Sequence, residues 1–362
     1  MTLLSIRDYE RAANGQLSAA TRDYYAGGAA DELTLTANRT AFEGIDLMPR
    51  TLCGATRPDL TTRLGDQPLA LPLGIAPTAF HKLAHPDGET ATARAAGEAG
   101  ALFVLSSLST TAMEPVFAAT DAPRHFQLYM YRDRATTRDL VARAQAAGAG
   151  AIVLTADAPV WGLREADARN RFVLPPHLRA ENLAAGTDRL PDSGGSGLAT
   201  YMNEIVDGGI TWDDLDWLCA STTLPVWLKG VMHPDDARRA IDHGAAGLVV
   251  SNHGGRQLDR APATIRALPA IARAVDGRVP LWLDGGIRRG ADAFTALALG
   301  ADGVMIGRPA LWGLTVDGAA GVAAVLDILA RELANTMSLC GCASLAAIHR
   351  DCLFDTRTIE SR

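Results

Sequence analysis

From Leu71 onward, short apolar runs ending in polar residues or glycine alternate with Ala-rich amphipathic stretches, and this alternation constrains the fold more than any other feature. The runs are Leu71–Ala76, Ala101–Ser106, His125–Tyr129, Ala151–Ala156, Val226–Lys229, Gly247–Ser251, Leu281–Asp284 and Gly303–Ile306. Between them lie Thr90–Ala99, Thr137–Ala147, Asp235–His243, Ala263–Val275 and Ala291–Leu299. Near-continuous apolar runs bounded by Gly and Pro read as parallel strands buried on both faces, alternating with helices. The count comes to roughly eight β/α units, the number that closes a TIM (β/α)8 barrel. An open doubly wound sheet usually stops at about five or six strands.

Two regions break the rhythm. Residues 1–70 hold helical segments, then Leu60–Leu64 and Pro68–Leu71 around Gly65-Asp66, a predicted hairpin capping the N-terminal end of the barrel. The second break runs from about Ala158 to Ile210, after strand four. A segment this long on the face where barrels place their active sites is expected to be a lid or site wall. Within it Gly194-Gly195-Ser196-Gly197 is expected to be a mobile tip, because no strand immediately precedes it. The expected organisation is one domain over residues 1–362. It comprises the extension (1–70), the barrel (71–340) with its lid (about 158–210), and a tail (341–362).

Charge and cysteine usage exclude several classes. The formal net charge is −7, with no basic block, so neither a nucleic-acid partner nor a polybasic membrane anchor is expected. Arg7, Asp8, Glu10 and Arg11 interrupt the apolar core that a signal peptide needs, and the final Ile359-Glu360-Ser361-Arg362 is not a peroxisomal signal. A cytoplasmic location is therefore expected. The five cysteines show no framework spacing and suggest reduced thiols; Cys340-Gly341-Cys342 lacks a nearby His, so no metal is expected.

In a barrel the C-terminal ends of the strands converge on one face. That places Pro77-Thr78-Ala79, Ser106, Gln127, Tyr129, Thr155, Asp157, Lys229, Ser251-Asn252-His253, Asp284-Gly285-Gly286 and Gly307-Arg308 around one mouth. In Ser251-Asn252-His253-Gly254-Gly255-Arg256, two glycines allow close approach to a flat ligand, and Arg256 offers a planar fork to a carboxylate.

This segment resembles the signature of the FMN-dependent 2-hydroxy-acid oxidase and dehydrogenase family. The resemblance continues through Asp23-Tyr24-Tyr25-Ala26-Gly27-Gly28-Ala29, Ile75–Ala79, Phe126–Tyr129, Arg164–Asp167, Asn170–Pro176, Asp284–Gly290 and Ile306–Pro309, nearly the whole chain. It implies FMN as cofactor. Asp284, Gly285, Gly286, Arg288, Gly307 and Arg308 are then expected at its phosphate end. Pro77, Thr78, Ala79, Ser106, Gln127, Thr155 and Ser251 are expected along its ring, with Lys229 stabilising the anionic reduced form. It further implies His253 as general base stabilised by Asp157, Tyr129 on the substrate hydroxyl, and Arg164 and Arg256 with Tyr24 on the substrate carboxylate. The other histidines, His81 and His125 among them, receive no role from the resemblance. A homo-oligomer, tetrameric or larger, is expected by analogy.

Two wall positions depart from the family's glycolate oxidases: Leu108 stands where they carry Trp, and Trp161 where they carry an aliphatic residue. The exchange predicts a substrate larger than glycolate, lactate-like or mandelate-like. Ala79 is the residue type usual in oxidases, and residues 158–210 hold no strongly apolar or basic membrane segment. Dioxygen is thus the expected acceptor, giving hydrogen peroxide. The alternatives are a dehydrogenase with another acceptor or a phosphate-binding barrel isomerase without redox chemistry; paired Arg164 and Arg256 beside His253 argue against the isomerase.

Overall fold

The computed structural model describes residues 2–183 and 196–354. Three helices open the chain: α1 (Ile6–Gln16), α2 (Ala19–Ala26) and α3 (Leu33–Glu43). Ser5 starts α1 with a capping box in which its hydroxyl accepts from Asp8 N while the Asp8 carboxylate accepts from Ser5 N. The predicted hairpin follows as antiparallel β1 (Thr62–Leu64) and β2 (Gln67–Leu69), turning at Gly65 with φ +58°.

Eight parallel strands then close on themselves: β3 (Leu73–Ile75), β4 (Leu102–Leu105), β5 (Arg124–Leu128), β6 (Ile152–Thr155), β7 (Val226–Val231), β8 (Gly247–Val250), β9 (Leu281–Asp284) and β10 (Gly303–Ile306), with β10 pairing back onto β3. The fold is the TIM barrel that the sequence predicts, each strand within two residues of its apolar run. The intervening helices are α4 (Gly88–Glu98), α5 (Met113–Ala118), α6 (Arg134–Ala146), α7 (Glu165–Arg169), α8 (Gly197–Ile205), α9 (Trp212–Ala220), α10 (Pro234–Asp242), α11 (Thr264–Val275) and α12 (Gly290–Ala298). A last helix, α13 (Arg308–Cys340), breaks at Asp317-Gly318 and packs against α1, α4 and α12. Its composition would suit a bilayer, yet more than half of its most apolar stretch is buried inside the protein.

Alternate strand residues face opposite sides, so two apolar layers form. Ile75, Phe103, Phe126 and Leu283 face the helices, whereas Leu102, Val104, Val153, Trp227, Val249 and Trp282 fill the barrel. The two indoles occupy space left by glycines: a Cβ on Gly247 would lie 2.3 Å from Trp227, and one on Gly303 2.7 Å from Trp282. Hairpin residues Leu64 and Leu69 join this interior layer and close the end away from the active-site mouth. Each large side chain so buried contributes about 1.5–3 kcal/mol.

Between β6 and α9 the described residues include α7 and α8. Gly194 and Gly195 lie outside the described residues; Ser196 caps α8 by accepting from Ala199 N. Cys340-Gly341-Cys342 forms the end of α13, with Gly341 at φ +78° and Cys342 N donating to Met337 O. No cluster able to hold a metal ion occurs among the described residues.

Candidate active site

At the C-terminal mouth a cleft of about 980 Å³, open side included, is lined by Tyr24, Pro77, Thr78, Ala79, Ser106, Leu108, Gln127, Tyr129, Thr155, Trp161, Arg164, Lys229, His253, Arg256, Asp284, Gly285, Gly286, Arg288, Gly307 and Arg308. Ser251 and Asp157 stand just behind that wall. Ser251 is fully sealed: its hydroxyl accepts from Lys229 Nζ at 2.9 Å and donates to Asp284 Oδ1 at 2.7 Å. The structure thus puts Ser251 behind Lys229 rather than on the cleft surface. Tyr25, Ile287, Met305 and Leu311 also line the cleft, positions that sequence reasoning passed over because apolar contacts carry no motif.

β7 delivers Lys229 between two carboxylates, 3.4 Å from Asp284 Oδ2 and 4.0 Å from Asp157 Oδ2. Burial works against the ammonium, but these two acids outweigh it and hold its pKa above the ordinary value. Asp284 therefore serves Lys229 with its side chain, leaving the glycines after it to face the cleft. Gly285 and Gly286 have φ of +98° and +91°, and a Cβ on Gly286 would lie 1.9 Å from Asn38 O.

The β8 end turns through three successive left-handed residues, His253 (φ +57°), Gly254 (+63°) and Gly255 (+77°). A Cβ on Gly255 would sit 2.6 Å from Leu35 N, so the glycines are what let this turn lie against α3. The turn aims His253 at the cleft, with Nδ1 2.8 Å from Asp157 Oδ1. Its Nε2 has no hydrogen-bond partner among the described residues. Burial holds His253 below its usual pKa while Asp157 opposes that shift. For Asp157, burial is outweighed by His253 and Lys229, and its pKa falls below the ordinary carboxylate value. Burial raises the Tyr129 and Tyr24 phenols, so both stay protonated.

Four guanidiniums surround the cleft, and none has a carboxylate within 4 Å among the described residues. Arg256 Nη1 donates to Tyr24 O and Gly27 O, both at 2.7 Å. Arg308 donates to Tyr25 O, Gly27 O and Gly254 O. The carbonyl-rich C-terminus of α2 thus anchors two cations, the pairing a helix dipole favours. Arg164 leaves the N-cap of α7, donates to Arg256 O and Gln257 Oε1, and lies 3.7 Å over the Trp161 ring. Burial and neighbouring Arg256 push Arg164 down to about 9; burial pushes Arg288 down to about 10. Burial, reinforced by the other arginines, lowers Arg308 strongly. Gln257 also binds Asp157 O and Val160 O, tying the loop after β6 to that after β8. Sequence reasoning missed this hub, although it directly follows Arg256.

These residues fit FMN. The Arg288 Nε is buried without a partner, the cations lack acids, and the glycine-lined floor at β9 and β10 leaves backbone open to an anion. The cleft also falls near the roughly 300–1,000 Å³ usual for ligand sites.

The barrel, its cationic mouth, the buried Lys229 and the His253–Asp157 pair sit where the family resemblance expects them. The chain belongs to the FMN-dependent dehydrogenase family, which matches residues 13–355. It is 49% identical to glycolate oxidase 3 of Oryza sativa subsp. indica, covering 96% of this chain and 95% of that protein. It is 50% identical to L-lactate oxidase of Nostoc sp., covering 95% and 96% respectively. A crystal structure of mandelate oxidase with (S)-4-hydroxymandelic acid superposes with a TM-score of 0.92 at 42% identity, covering 97% of this chain and 98% of that one. These relatives place the chain among the FMN-dependent 2-hydroxy-acid oxidases of that family.

Proposed function

We propose that this enzyme converts an (S)-2-hydroxy acid larger than glycolate to the 2-oxo acid, with dioxygen as final acceptor and hydrogen peroxide as second product. One observation carries the chemistry. His253, tied to Asp157 through Nδ1 at 2.8 Å, shares one cleft with two arginines that have no carboxylate within 4 Å among the described residues.

Arg164 and Arg256 bind the substrate carboxylate, and Tyr24, stacked on Phe172 at 4.1 Å, completes that side. Tyr129 donates to the substrate oxygen. Neutral His253 accepts the substrate proton at Nε2, and Asp157 stabilises the imidazolium that results. FMN, when bound, supplies a two-electron acceptor. Pro77–Ala79, Ser106, Gln127 and Thr155 support its ring and Lys229 supplies positive charge beside it, with Ser251 orienting Lys229. Gly285, Gly286, Arg288, Gly307 and Arg308 hold its phosphate, while Asp284 neutralises Lys229 from behind.

The size reading rests on the wall. Leu108, 2% exposed, lines the cleft together with Trp161, whose ring is capped by Arg164. A Leu in place of an indole leaves room for a side chain on the substrate. The mandelate oxidase that shares this fold, solved with an aromatic acid, supports the same reading.

The test is the visible spectrum of the yellow holoenzyme under nitrogen, with (S)-mandelate, (S)-lactate or glycolate in separate cuvettes. Faster bleaching by mandelate or lactate than by glycolate is expected. Fastest bleaching by glycolate overturns the size reading. Admitting air must restore the colour within seconds and yield peroxide; slow recovery makes the enzyme a dehydrogenase with another acceptor.

A further inference from the structure

The cleft wall at Pro77–Ala79 continues into a buried relay that the reaction does not use directly. Thr78 Oγ1 lies 2.6 Å from His81 Nε2, and His81 Nδ1 lies 3.0 Å from Thr92 Oγ1. Thr92 spends its one hydroxyl proton on Gly88 O, so its oxygen accepts from His81 Nδ1–H. A neutral imidazole protonated at Nδ1 has a lone pair at Nε2, 2.6 Å from the Thr78 hydroxyl and placed to accept from it. His81 is 2% exposed, and burial, opposed by Glu89 and by a hydrogen bond to the Thr78 backbone, lowers its pKa, in keeping with the neutral ring that this arrangement needs.

The second branch of Thr78 faces the β10 end. Its methyl lies on the Gly307 side, 3.3 Å from where a Cβ at that glycine would stand, so a side chain there would crowd it. The His81 backbone is held too. Its N–H donates to Glu89 Oε1 at 3.0 Å; the fully buried Glu89 carboxylate also accepts from Thr110 N and Thr111 Oγ1. Between relay and wall, Phe80 adopts φ +63°, and its carbonyl accepts from Tyr25 Oη at 2.7 Å. A non-glycine residue in this region persists only where its surroundings over-determine it.

We propose that His81 is a positioning residue for the cofactor: by accepting the Thr78 hydroxyl proton it keeps that hydroxyl turned into the protein and presents FMN with a fixed wall at Pro77–Ala79. Without it the Thr78 hydroxyl is a buried, unpaired group free to rotate toward the cofactor, exchanging an apolar contact for a polar one.

Three quantities of the purified holoenzyme read this: the FMN dissociation constant, the flavin absorption maxima and the flavin midpoint potential. His81→Leu is expected to weaken FMN about tenfold, the order of one lost buried hydrogen bond, and to shift maxima and potential. His81→Gln, whose carboxamide can accept from Thr78 and donate to Thr92, must restore all three. In a Thr78→Val background His81→Leu must have no further effect on them, because the hydroxyl it acts through is gone. A folded His81→Leu protein with unchanged maxima, potential and FMN affinity overturns the proposal, as does an equal effect with Val at 78. Should His81→Leu not fold, Thr92→Val reads the relay from its far end. Its flavin potential must then shift, a shift that adding Thr78→Val to the same protein must abolish, and an unmoved potential rejects the relay.

Discussion

At the scale of single residues the site is a set of opposed charges that cancel in pairs except where a ligand is needed. Asp157 answers His253 and Lys229, and Asp284 answers Lys229, while among the described residues Arg164 and Arg256 have no carboxylate within 4 Å. If His253 is the base, His253→Ala retains FMN but loses kcat by at least about 10²-fold. Asp157→Asn loses a comparable amount, since the imidazolium then lacks its counter-charge; turnover by either variant within tenfold of the parent removes that residue from the proton path. Because burial lowers the His253 pKa, kcat/KM should stay level across neutral pH and decline only below the ordinary histidine range. The residue types of this site are legible in the sequence because they fall at strand ends. Their pairings are not: nothing in the chain's order announces that Gln257 clasps Arg164 or that His81 reads Thr78, for both bonds depend on loops meeting in three dimensions.

At the scale of elements, two loops build the substrate wall, one after β4 carrying Leu108 and one after β6 carrying Trp161 and Arg164. Phe80 N donates to Leu108 O, so the first loop is also braced from the strand-β3 side. Exchanging the bulk, Leu108→Trp with Trp161→Leu, should lower kcat/KM for (S)-mandelate at least about tenfold relative to glycolate. An unaltered ratio means that these loops do not set size. The barrel strands are legible since runs buried on both faces have little else to be, and the hairpin is legible from Gly65 between two apolar segments. Helix α5 is short and the last helix has no strand after it, so both escape a reading built on amphipathic stretches between apolar runs, although each completes a β/α unit. Ser251 shows the same limit at closer range: a strand-end position does not say whether a side chain faces the cleft or the layer beneath it.

At the scale of the whole molecule, the barrel interior is sealed from both ends, by the hairpin below and the site above. His125 is trapped inside it, 4% exposed, tilted against Trp227 with centroids 5.5 Å apart and neither ring nitrogen hydrogen-bonded to the protein. Burial drives its pKa down to about 4. Between about 6.5 and 4 the unfolded chain binds a proton there that the native one refuses, so stability is complete above that window and declines as pH falls through it, by about 3 kcal/mol. Comparing unfolding free energies of the parent and His125→Leu from pH 7 to 4 checks this. The difference between them should shift by roughly that amount, and a pH-independent difference rejects it. A last consequence follows from the four guanidiniums around the mouth. The polypeptide folds around positive charge that its own acids offset only from a distance, so part of its folding equilibrium is delegated to FMN as a counterion. Each tenfold rise of free FMN above its dissociation constant deepens the native well by about 1.4 kcal/mol. The amount of folded enzyme is in this way coupled to cofactor supply before any substrate is turned over.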